Sequence, residues 1–143
     1  MMLCLTLIIF VAENLVKLKQ KLKLFLDNQD VGMTKEQYLM MCEQTGQEID
    51  WEKCPAEWSD FPELVWDMVE IYNSLGDKVY PDIGYIGKDF TNLPLIFELN
   101  DTPKHTKEIL FDLLLWLDSR NIKISQDKMQ AEHAKIKQKY GKK

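Results

Sequence analysis

Residue types and spacing come nearest to a recognisable chemistry in the segment Ile83-Gly84-Tyr85-Ile86-Gly87-Lys88-Asp89. A phosphate-cradling P-loop needs Gly ahead of its Gly-Lys pair and Ser or Thr after it to hold magnesium. Here Asp82 and Asp89 occupy those two places, and both repel phosphate. The spacing of Gly84 and Gly87 also fits a Gly-x-x-Gly clamp for single-stranded RNA, which works in basic surroundings. This loop sets Asp77, Asp82 and Asp89 against Lys78 and Lys88, so the two glycines read instead as backbone positions that need positive φ.

Metal and nucleophile chemistry fare no better. Asp77, Asp82 and Asp89 lack the alternating spacing of a calcium loop. Glu63, Asp67 and Glu70 share one helical face; with neither a second acidic face nor a nearby His, they read as solvated. His105 and His133 have no Cys or carboxylate at zinc-ligand spacing. Cys4, Cys42 and Cys54 form no Cys-x-x-Cys pair and no even framework, and read as reduced, small apolar side chains. A Gly-x-Ser-x-Gly elbow is missing as well. The expectation is a chain that is not an enzyme, with no catalytic residue, no cofactor, no metal site and no small-molecule substrate.

Charge is strongly partitioned. Residues 1–26 hold four Lys and one Glu, residues 27–118 six Lys and twenty carboxylates, and residues 119–143 eight Lys or Arg and two acids. An acidic centre repels polyanions, while the ends offer cations. The tail Lys residues, from Lys128 to Lys143, lack Arg and have only Tyr140 as a stacking group. Any nucleic-acid contact there is weak, sequence-independent and salt-sensitive.

Positioning these groups falls to a series of helices. The apolar run over residues 2–12 is shorter than the about 20 residues a membrane span needs, and its Lys residues follow it, unlike those of a signal peptide. It reads as a helix packed on the body or a partner, as an upstream extension with Met33 a natural start, or as a membrane contact. Thr34 with Gln37 forms a capping box, Met33 with Tyr38 a hydrophobic staple, and Gly46 a stop, which predicts a helix over 35–44. The acidic connection 47–60 carries Trp51 and Trp58, either packed down on the helices or anchoring a partner. Asp60 and Glu63 read as the capping box of a helix over 61–75, whose apolar stripe runs Phe61, Leu64, Val65, Met68, Val69, Tyr72, Leu75 before Gly76. Val79–Tyr80 and Tyr85–Ile86 can pair as a small hairpin. A short helix over 93–99 follows, and Thr102-Pro103 opens a long helix over 103–120 with Ile109, Leu110, Leu113, Leu114, Trp116 and Leu117 on its buried side. Asn121 is expected to interrupt it, and the tail from Ser125 onward, with too little apolar surface to pack, reads as a solvated helix or a fraying arm.

The fold class is therefore mainly α: one small domain of four or five helices with a Gly/aromatic loop. The expected parts are an N-terminal helical extension (1–32), an acidic helical domain (33–122) and a basic polar tail (123–143).

The stretch from Met33-Thr-Lys-Glu-Gln-Tyr-Leu to Met41-Cys-Glu-Gln, then Pro55-x-x-Trp58 and Gly84-Tyr-Ile-Gly-Lys-Asp-Phe90, resembles small acidic proteins of tailed bacteriophages. Over residues 33–100 it is similar to a tail assembly chaperone-like family, with Lys88 standing where an apolar residue is common. The resemblance implies a non-enzymatic protein that binds phage tail or other virion proteins, in the host cytoplasm or on the virion. Its partner contacts would be Trp51, Trp58, Tyr80, Tyr85 and Phe90. The alternatives are an acidic inhibitor of a host nucleic-acid enzyme, or a minor virion component that uses residues 2–12 on a membrane.

Overall fold

The computed structural model describes residues 2–29 and 32–141, with side chains described from Asn14 onward. Within that range the chain is mainly helical, with five α-helices, one short 3-10 turn and one antiparallel hairpin. It divides into two compact units, residues 1–62 and 63–143.

The first unit holds α1 (Met2–Asn28), α2 (Lys35–Thr45) and a 3-10 turn at Trp58–Asp60. Helix α2 starts and stops where its sequence directs. The Thr34 hydroxyl accepts from the Gln37 N–H, the Gln37 side chain accepts from the Thr34 N–H, and Gly46 closes the helix at φ 70°. Leu22 on α1 and Cys42 on α2 are buried. Phe25 of α1 meets Trp58 edge-on at 4.8 Å and Phe61 at 5.2 Å. The membrane reading of residues 2–12 concerns side chains outside the described residues. Among the described residues, no helix is long and apolar enough to cross a membrane.

Asp60 does not cap the next helix. Its carboxylate accepts from the Glu57 N–H at 3.0 Å and from the Lys35 ammonium at 2.9 Å, and the helix begins only at Glu63. A cation within reach and a 3-10 turn of its own outcompete the expected capping role.

The second unit contains α3 (Glu63–Ser74), the strands β1 (Asp77–Tyr80) and β2 (Gly84–Lys88), α4 (Leu93–Leu99) and α5 (Lys104–Tyr140). The core is formed by Val65, Met68, Ile71 and Tyr72 of α3 with Leu110, Leu113, Leu114 and Leu117 of α5. In the hairpin Asp77 faces Lys88, Lys78 faces Gly87 and Val79 faces Tyr85; the register slips between Lys78 and Val79, leaving Ile86 as the extra residue of a bulge. Two strands alone are marginal, and here β2 packs on α5.

Helix α5 overrides the expected break. It runs unbroken through Asn121 to Tyr140, because the Asn121 side chain donates to the Tyr72 hydroxyl at 2.9 Å instead of ending the helix. The first turns of the supposed polar tail also pack: Ser125 and Met129 lie beside the hairpin, with Met129 Sδ so close to Gly84 that a Cβ there would stand 2.7 Å from it.

Candidate functional site

On α5 the buried stripe continues past Leu114 and Leu117 into two polar residues, Asp118 and Asn121, each four positions on. Asp118 is 6% exposed. A buried carboxylate must be met by donors, and the hairpin supplies them. The Tyr85 hydroxyl donates to Asp118 Oδ1 at 2.5 Å, the Lys88 N–H reaches both carboxylate oxygens at 3.1 and 3.2 Å, and the Tyr72 hydroxyl lies 3.3 Å from Oδ1. The two phenol oxygens are 2.8 Å apart, and Asn121 completes the set from α5.

Gly87 makes this approach feasible. It sits at φ 131°, and a Cβ there would lie 3.1 Å from Asp118 Oδ2 and 3.3 Å from Ile122 Cδ1. The expectation of positive φ holds for Gly84 as well, at 82°. Both glycines lie in strand β2 against α5, where Gly87 is buried, rather than in a loop open to a phosphate backbone.

Lys88 ties the hairpin to α3. Its ammonium pairs with Asp77 at 2.6 Å, donates to the Leu75 carbonyl at 3.3 Å just beyond the end of α3, and lies 4.6 Å from the centre of the Tyr72 ring. Burial raises the Tyr72 phenol above its ordinary value, and burial with the Asp118 carboxylate raises Tyr85 much further. A phenol raised in this way stays protonated at neutral pH and acts as a hydrogen-bond donor. Above the network lies a cleft of about 430 Å³, lined by Tyr72, Tyr85, Asn121, Ile124, Ser125 and Met129 with the charged Asp77, Lys88, Lys128 and Glu132.

The residues expected to meet a partner are distributed over both units. In the first, Trp51 is 68% exposed, against the reading in which it packs down; Trp58 meets Phe25 edge-on and Phe61 at a tilt. In the second, Tyr80 is 55% exposed, Tyr85 turns its hydroxyl to Asp118, and Phe90 packs edge-on to Phe111. Asp118, Asn121 and Tyr72 were not singled out as functional from the sequence. The available signal was a carboxylate and an amide on the apolar stripe of α5.

Among the described residues no group of His, Cys, Asp and Glu is placed to hold a metal ion, and Cys42 and Cys54 are free thiols. Glu63, Asp67 and Glu70 are exposed along α3. Comparison with protein-family models, curated proteins and solved structures finds no match to this chain.

Proposed function

We propose that this chain acts by binding other proteins during the assembly of a tailed-phage particle, with no chemistry of its own. The observation that carries the reading is the hairpin end, where Val79, Tyr80 and Ile83 are all exposed while β2 behind them is clasped by Asp118. Exposed apolar and aromatic side chains on a pre-ordered element suit a recognition surface, because little conformational freedom is lost on binding. The sequence resemblance supplies the context of tail assembly.

Purified chain is to be tested against tail tube and tape-measure proteins. Binding that Tyr80→Ala with Ile83→Ala weakens by at least about tenfold, an effect of hot-spot size, with an unchanged circular dichroism spectrum, supports the proposal. No binding to any tail component would sink it. The exposed carboxylates of α3 favour a second reading, in which they imitate phosphates to a host nucleic-acid enzyme; tight, salt-sensitive binding to a polymerase or nuclease would support that instead.

A further inference from the structure

We propose that the basic end of α5 docks on the acidic outer face of α3 in a second copy of the chain. From Gln130 to Tyr140 every residue of α5 is exposed. The stretch continues the packed part of α5 as helix while covering no surface of its own, so one whole face of it is open to a partner. The helix is unbroken, so Ile136 sits roughly 20 Å along the axis beyond Asn121. It presents Ile136 and Tyr140, 53% and 70% exposed, with Lys135 and Lys139 beside them at the same spacing.

The outer face of α3 is the opposite of this arm in charge and like it in layout. Glu63, Asp67 and Glu70 are exposed, the helix contains no Lys or Arg, and Trp66, 49% exposed, stands among them three residues after Glu63 and four before Glu70. Each face has an apolar centre flanked by charge of one sign, and the signs are complementary. Lys ammonium groups are attracted to an indole face, a half-exposed Trp is a strong anchor, and the flanking charges steer approach and fix register.

Charge also selects the occupant. The arm lacks the Arg and the repeated aromatics that hold nucleic acid, and residues 27–118 carry twenty carboxylates against six Lys, which repel it. A second copy brings α3's acidic face at the same concentration as the arm. The contact joins two different patches, so it either closes a two-fold dimer with each arm on the other copy's α3 or builds a ring or an open chain of copies. A few helical turns bury little area, so the association is weak and reversible.

Sedimentation velocity on the full chain tests this at low ionic strength over a wide concentration range. The mass is expected to rise with concentration, with affinity falling at least about tenfold on moving to high salt. Lys135→Glu with Lys139→Glu, and separately Asp67→Lys with Glu70→Lys, are each expected to abolish the rise. Mixing the two reversed variants should restore association, because the reversed arm then meets a reversed face. Trp66→Ala, which leaves every charge in place, should weaken it about tenfold or more. A chain that stays monomeric at every concentration, or association that survives both reversals, would overturn the proposal. So would duplex DNA or a host nuclease capturing the arm or the α3 face in place of the second copy.

Discussion

Two carboxylates, one in each unit, are met by donors in opposite ways. Asp60 pairs with a cation, Lys35, at 2.9 Å, yet its side chain is 29% exposed. Asp118 takes two phenols and a backbone N–H, and is 6% exposed. Water screens the first pair and can replace either partner, so the ion pair contributes little. Around the buried Asp118 solvent replaces a lost partner far less readily, and a donor left behind carries much of its desolvation penalty. Burial, more than formal charge, decides which cluster matters.

Asp118→Ala should therefore give the largest effect, destabilising by about 3 kcal/mol, since it strands the Tyr85 hydroxyl and the Lys88 N–H together. The measurement is the urea midpoint followed by near-ultraviolet circular dichroism. A loss no larger than that of Asp60→Asn would break the comparison. Gly87→Ala comes next at about 2 kcal/mol, combining a φ of 131° with a Cβ pressed on Asp118. Tyr85→Phe removes one donor and keeps the ring, for about 1 to 2 kcal/mol.

Titration sharpens the contrast. Tyr85 is raised in the folded chain by burial and by the Asp118 hydrogen bond. Its contribution is thus fully present below the ordinary phenol value of about 10 and is lost as pH climbs beyond it. Tyr85→Phe should flatten part of that alkaline loss. Asp60 is lowered from 3.8 by the Glu57 N–H and then by Lys35, so its contribution is present at neutral pH and is lost as pH falls below about 4. Asp60→Asn should remove that acid limb while changing the neutral-pH midpoint least of all these variants.

Much of the local structure was legible in the sequence. Thr34, Gln37 and Gly46 bound α2 because capping uses only neighbouring atoms, and the stripe around Val65, Met68 and Tyr72 identified α3 by its period alone. The hairpin was visible in its turn residues. The Asp118 cluster was not, because its partners lie thirty or more residues away and Asp118 alone looks like one more surface acid. Asp60 misled for the same reason, since a distant Lys35 competed for a carboxylate that the local pattern assigned to a cap.

By itself the sequence determined where most helices begin and end, the positive φ of Gly84 and Gly87, and the division of charge between an acidic centre and basic ends. Those features depend on atoms a few residues apart or on composition. Tertiary structure alone decided that α5 continues past Asn121, that β2 is held by a buried aspartate, and that Tyr80 faces out while the Tyr85 hydroxyl turns in. A polar side chain inside a fold takes whichever partner the packing brings within hydrogen-bond reach, and no local pattern contains that partner.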